Sequence, residues 1–346
     1  MKLFKHVMVL FMVAVLTGAV LTGSAGPVKT FKLSEKDIVN IRETLGDVYS
    51  RIPDGFETDK KGFFYFLDRD LKTVTKVDRN TLKIVKTIFK FGEGEYKYFY
   101  PDALRVKNGK IFALDTAVPI IHVFDLDGKP LKEIRFESKF DEKNWILKGV
   151  AGRYNKFDIS SKGEIFVRAY DSKSKTTLQV FDENGKFLRN LLQVTSDIDS
   201  DTMKWAAENK FSIHLDNRDN LWILYPKDGN LKKMTPEGNL KSEIDLFKDL
   251  PKEERIEDTF FEFGFMADNN TSINSRSNLD FSEFELIYGN RIMVHAGKGF
   301  YIYNEPDLKL AAKILTPNGE LKWGKFVFEG GKIWTIRGMT TVPGYK

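Results

Sequence analysis

One short pattern recurs along this 346-residue chain and limits what it can fold into more than any other feature. It is a turn residue, one variable residue, then a tight apolar run. It occurs as Gly62-Phe63-Phe64-Tyr65-Phe66, Gly109-Lys110-Ile111-Phe112-Ala113 and Gly163-Glu164-Ile165-Phe166-Val167. It returns as Asp219-Asn220-Leu221-Trp222-Ile223, Asn290-Arg291-Ile292-Met293-Val294 and Gly331-Lys332-Ile333-Trp334-Thr335. A unit repeated at intervals of 41 to 71 residues is one supersecondary module that buries its apolar face only by stacking on its neighbours.

A second pattern follows the first five copies: apolar residues, a polar residue, then a two-residue turn. Asp125-Leu126-Asp127-Gly128 and Asp182-Glu183-Asn184-Gly185 are its clearest forms. Val77-Asp78-Arg79-Asn80, Thr235-Pro236-Glu237-Gly238 and Thr316-Pro317-Asn318-Gly319 are weaker ones. Asx-Gly between apolar runs marks a hairpin, because Gly and Asn accept positive φ. Each repeat therefore reads as four antiparallel strands, with middle strands apolar on both faces. The fold predicted is all-β: a six-bladed β-propeller of four-stranded antiparallel blades. The sixth copy meets the end of the sequence before its hairpin. Val28 to Leu33 is the candidate strand to complete that C-terminal blade, since closure removes an open edge.

Two stretches depart from the repeat. Ser34-Glu35-Lys36-Asp37, followed by Ile38, Ile41 and Leu45, predicts a short helix over 34–45. Residues 245–283 form an insertion between blades four and five, with a charged helical piece from Pro251 to Asp258 and a mobile polar run from Asp268 to Asn278. About ten extra residues are expected in the fifth blade, around Gly299 to Leu308.

At the N-terminus, Lys2 and Lys5 precede an apolar run from Val7 to Leu21, and small residues Gly23-Ser24-Ala25 follow. This reads as a signal peptide over 1–25, leaving one propeller domain over 26–346 in the periplasm or secreted. An uncleaved anchor is the competing reading, but the run is short of the about 20 residues of a full span, so no transmembrane span is expected after cleavage. There are no cysteines, so burial and sheet hydrogen bonds alone must hold the exported fold. The net charge of +5, or +3 without Lys2 and Lys5, is too mild and too evenly spread to suggest nucleic acid.

The repeats resemble those of NHL-type and related TolB-like bacterial six-bladed propellers. Phe91-Gly92-Glu93-Gly94-Glu95-Tyr96…Pro101 is similar to the Gly-rich segment that precedes an innermost strand in that group. Lys148-Gly149-Val150-Ala151-Gly152-Arg153-Tyr154 looks like a degenerate second copy. The resemblance implies a fold. Members of the group include peptide and protein binders, carbohydrate-associated proteins, and a minority of lyases and lactonases.

Three histidines lie beyond the leader: His122, His214 and His295. Phe211-Ser212-Ile213-His214-Leu215-Asp216 reads as an innermost strand, whose alternate residues face the axis. His214 with an axial carboxylate such as Asp158 is thus the candidate for acid–base or metal chemistry; a hydrogen-bonded buried histidine is the competing reading. Asp197, Asp199 and Asp201, with Glu208 at the twelfth position, space hard oxygen ligands as a Ca²⁺ loop does, although Thr202 stands where such a loop needs Gly. A solvated acidic connection is the alternative, and no other cofactor is expected. Loops at one end of a propeller converge on the channel mouth. Tyr96, Tyr100, Arg105, Arg153, Tyr154 and Trp205 lie in or beside them and are residue types that carry interface energy. Packing between blades is their competing role. The expected function is non-catalytic binding of a protein, peptide or glycan through these loops. The alternatives are a metal-assisted lyase or hydrolase near His214, and a structural module of a cell-envelope complex that docks through the insertion.

Overall fold

The computed structural model describes residues 28–32, 39–40, 55–68, 71, 73–90, 101–115, 120–137, 157–171, 173–194, 209, 211–225, 229–249, 260–262, 274–276, 281–287, 291–296, 299–305, 308–315, 326–329 and 332–335. Two short strands come first, β1 (Lys29–Lys32) and β2 (Val39–Asn40). Blade one is β3 (Gly55–Thr58), β4 (Phe63–Asp68), β5 (Thr73–Asp78) and β6 (Ile84–Lys90). Blade two is β7 (Pro101–Lys107), β8 (Lys110–Asp115), β9 (Ile120–Asp125) and β10 (Pro130–Arg135). Blade three is β11 (Phe157–Ile159), β12 (Ile165–Asp171), β13 (Thr176–Phe181) and β14 (Phe187–Gln193). Blade four is β15 (Ser212–Leu215), β16 (Leu221–Tyr225), β17 (Asn230–Met234) and β18 (Leu240–Asp245). A hairpin of β19 (Phe260–Glu262) and β20 (Asn274–Arg276) follows. Blade five is β21 (Phe281–Ile287), β22 (Arg291–Ala296), β23 (Gly299–Asn304) and β24 (Lys309–Leu315). The last strands are β25 (Phe326–Glu329) and β26 (Lys332–Thr335).

Each full blade is an antiparallel meander, and the first strands of successive blades, β3, β7, β11, β15 and β21, lie beside one another around the axis. The repeated apolar run is the second strand in every blade. Its residues are buried on both faces, as in β4 from Phe64 to Asp68 and β16 from Leu221 to Leu224. The core therefore lies between blades. Tyr65 and Leu67 meet Leu104 and Phe124 at the first joint, and Phe112 and Ile134 meet Phe157 and Phe181 at the second. Phe166 and Leu178 meet Phe211 and Ile223 at the third, and Trp222 and Leu231 meet Ile292 and Tyr303 at the fourth.

The glycine-containing hairpins between third and fourth strands do more than turn the chain. Gly128, Gly185 and Gly238 have φ of +87°, +88° and +95°, and each sits against the outer strand of the preceding blade. A Cβ on Gly185 would stand 2.2 Å from the Arg135 carbonyl oxygen, and one on Gly128 2.0 Å from the Ile88 side chain. A long cation on that outer strand then reaches the hairpin backbone. Lys86 Nζ donates to the Asp127 carbonyl and Lys132 Nζ to the Glu183 carbonyl, both at 2.8 Å, and Arg189 Nη2 to the Pro236 carbonyl at 2.9 Å. Blade is thus latched to blade at three successive joints.

The structure corrects several expectations. Five blades, not six, have four antiparallel strands among the described residues; the sixth motif copy is β26, in a three-stranded sheet with β25 and β2. Lys29–Lys32, the described part of the 28–33 segment, does not complete that sheet. β1 adds in parallel to the outer edge of blade five, pairing Thr30 with Lys313, while β2 pairs in parallel with β26 through Val39 and Trp334. The open edge of β24 offers unpaired backbone groups that β1 satisfies. Val39–Asn40 is accordingly strand where a helix was expected. Asn274–Arg276, within the run expected to be a loop, is strand too. Gly299–Asn304 is no surplus but the third strand of blade five, whose hairpin turn falls at 305–308. Thr316–Gly319 comes after the fourth strand. The helical piece over 251–258 lies outside the described residues.

Candidate functional site

Successive side chains of a strand alternate between its faces, so Arg105 and Lys107 of β7 emerge on the same side. That side faces the axis, where β3 brings Glu57, β11 brings Asp158 and β15 brings His214. Arg105 pairs with Glu57 through Nη1, and its Nε donates to the Phe157 carbonyl at 3.0 Å. Its Nη2 donates to the Ile213 carbonyl at 3.4 Å. One buried guanidinium thus ties the innermost strands of four blades, a task its planar fork of donors suits.

Asp158 is the second centre. Its Oδ1 accepts from Lys107 Nζ at 3.1 Å and from the Ile159 N–H at 2.7 Å. Its Oδ2 accepts from the Leu215 N–H at 2.7 Å. His214 Nδ1 stands 4.0 Å from Oδ2, and Arg105 Nε 3.9 Å from Oδ1. Burial pushes the Asp158 carboxyl up. Lys107, Arg105 and His214 and the bond from Leu215 outweigh it and hold the group at about 2. The carboxylate stays ionised and fully engaged across the neutral range, so it is a poor proton acceptor.

Of the residues singled out in the sequence, His214 and Asp158 lie on adjacent innermost strands, 4.0 Å apart at Nδ1 and Oδ2. Arg105, read as lying in or beside a rim loop with packing between blades as its competing role, lies on β7 facing the axis, 5 % exposed, between strands. Tyr96, Tyr100, Arg153, Tyr154 and Trp205 lie outside the described residues, as do Asp197, Asp199, Asp201 and Glu208. Among the described residues no group of three or more His, Asp or Glu side chains is arranged to hold a metal ion. Glu57 and Lys107 were missed by the sequence reading. Lys107 was signalled by its spacing of two from Arg105; Glu57, in the short strand before the first motif copy, carried no such mark. His122 is half-buried on β9, with Nδ1 3.4 Å from Glu133. Burial lowers its pKa, Glu133 opposes the shift and Arg135 adds to it.

A parallel arrangement recurs off the axis. In β17, Lys233 lies 5.0 Å over the Trp222 ring, 3.7 Å from Asp216, and pairs with Glu305 of the next blade's hairpin. In β5, Lys76 occupies the equivalent place, 4.5 Å over Phe63 and 3.0 Å from Asp127 of its next hairpin. These lysines pin blades together at the same level of the fold. Among the described residues no helix is long and apolar enough to cross a membrane.

No protein-family profile matches the chain, and no curated protein matches it in sequence. Solved structures do. A catalytically inactive virginiamycin B lyase from Staphylococcus aureus, with quinupristin, is similar at 11% identity over 85% of this chain and 80% of that one, with a TM-score of 0.50. A streptogramin B lyase is similar at 13% identity over 85% and 93%, with a TM-score of 0.49. A nidogen/laminin complex is similar at 11% identity over 82% and 84%, with a TM-score of 0.46. At such identities the likeness concerns the fold alone: the chain is an all-β propeller of four-stranded antiparallel blades.

Proposed function

We propose that this chain is an exported, non-catalytic propeller that binds a protein, peptide or glycan through the loops entering its innermost strands. The observation that carries this reading is the state of Asp158. The carboxylate best placed for axial chemistry is spent on Lys107, two backbone N–H groups and the neighbouring cations. An axis closed by strand-to-strand bonds leaves recognition to the loops. A ring of six, related to the NHL-type group, belongs to the same proposal; it is supported by β25 lying beside β21 on one side and β3 on the other. The test is a glycan array and a peptide library probed with the purified protein. Binding lost on Tyr96→Ala or Trp205→Ala and kept on His214→Ala is expected. Binding that follows His214 alone overturns the proposal, and N-terminal sequencing that finds no cleavage near Ala25 overturns export by a cleaved leader.

A second reading, a metal-assisted lyase or hydrolase, is favoured by one observation, the 4.0 Å approach of His214 to Asp158. Elemental analysis of the purified protein separates the two. A stoichiometric metal lost on His214→Ala supports the second, and no stoichiometric metal supports the first.

A further inference from the structure

The innermost and second strands of each blade are joined by short turns, and in blades one to four these turns surround one mouth of the axis. Ser161 and Asp219 show that they share one end of the ring. The Ser161 N–H and hydroxyl, from the turn of blade three, both donate to Asp219 in the turn of blade four, at 2.7 and 2.6 Å. The exposed residues of these turns follow one rule. Every exposed charged side chain in or directly beside them is a cation: Lys60 and Lys61 in blade one, Lys110 at the start of β8 in blade two, Lys162 in blade three and Arg218 in blade four. The carboxylates lie beneath. Asp59 accepts the N–H groups of Lys61, Gly62 and Phe63, and Asp216 those of Arg218 and Asn220. None of the five cations makes an ion pair among the described residues. Farther from the axis the hairpins mix signs, with Lys83, Lys129 and Lys186 beside Glu183 and Glu237. The cationic ring is therefore a feature of the inner turns.

We propose that this inner ring of turns is a docking face for an anionic bilayer surface, with the propeller axis along the membrane normal. Charge complementarity and shape select that partner. The cations sit at the same end of four different blades, so they meet a flat layer better than a single small ligand. Four of the five are lysines, point charges that suit headgroups, and among the described residues the turns of blades one to four present no exposed aromatic side chain on which a sugar would stack. The face lies at the opposite end from the loops proposed for recognition, so docking would leave those loops turned away from the membrane.

The test is sedimentation of the purified protein with two kinds of vesicle: phosphatidylcholine alone, and two parts phosphatidylcholine to one part phosphatidylglycerol. Binding is expected to the second kind only, and to fall as salt rises from about 0.1 M to 1 M. Lys61→Glu, Lys110→Glu and Lys162→Glu together should lower the partition at least about a hundredfold, from about fivefold for each charge near the surface. Lys173→Glu, on the turn at the other end of blade three, should leave it unchanged. Thermal melting separates loss of binding from loss of fold. Equal binding to both kinds of vesicle, or a triple variant that melts normally and still binds, overturns the proposal. Tighter binding of soluble polyglutamate or polygalacturonate than of vesicles overturns it as well, in favour of a soluble polyanion.

Discussion

Arg105 Nη2 donates to the carbonyl of Ile213 at 3.4 Å, so a side chain of the second blade bonds the backbone of the fourth across the axis. With Glu57, Phe157 and Asp158 among its other partners, it makes the centre of the ring one connected polar unit. Removing one member of such a unit strands the rest without partners. Arg105→Met is expected to cost about 3–5 kcal/mol, as breaking a buried pair does. Arg105→Lys should recover only part of this, because one ammonium cannot fork to three strands. Urea unfolding of the two variants beside the parent checks both values.

Asp158 makes stability depend on acid. Its folded pKa of about 2 lies below the ordinary 3.8, so its contribution is present in full above the unfolded value and is lost as pH falls through the folded one. The size is about 2 kcal/mol, and the loss falls between roughly pH 5 and pH 2. Asp158→Asn should flatten that part of the stability profile. At pH 7 it should cost about 3–5 kcal/mol, since Lys107 and Arg105 lose their shared counter-charge. Unfolding curves collected from pH 7 to pH 2 test both statements.

The hairpin glycines separate backbone strain from crowding. Gly109 has φ of +70° and open space where a Cβ would go, whereas Gly185, at +88°, has the Arg135 carbonyl there. Gly109→Ala should cost about 1 kcal/mol, the price of a left-handed non-glycine residue. Gly185→Ala adds an overlap with backbone and should cost at least about 3 kcal/mol. Equal losses in the two variants would refute the latch between blades two and three.

Lys233 holds the fourth joint through Glu305 and Asp216 while standing over Trp222. Lys233→Met keeps the apolar stem but leaves two carboxylates facing each other. A loss of about 2 kcal/mol is expected, because one charge of a largely buried cluster goes uncompensated. Lys233→Met combined with Glu305→Gln should recover part of it, a coupling that a double-mutant cycle measures.

The features legible in the sequence are those set by neighbours along the chain. The apolar second strands, the hairpins at Asp125–Gly128 and Asp182–Gly185, and the axial placing of His214 and Asp158 all follow from local alternation and turn chemistry. The misreadings lie where distant pairing decides. Nothing within Lys29–Lys32 specifies β24 as its partner, because any open edge would satisfy it. The fifth blade hides its hairpin in a turn without glycine at 305–308, with Leu308 at φ +51°, while Asn318-Gly319 offers a false signal eleven residues later. Arg105 belongs to β7, whose two-residue alternation turns it to the axis together with Lys107.

The latches run in one direction. Each hairpin glycine rests on an outer strand made earlier in the chain: Gly128 on Ile88, Gly185 on Arg135, Gly238 on Leu191. A blade that has just formed therefore finds its seat already built, and assembly can advance from the N-terminal end like courses of brick. β1 and β2 stand outside that order. They precede β3 in the chain but pair with β24 and β26, so their native partners are laid down only after all five blades have begun.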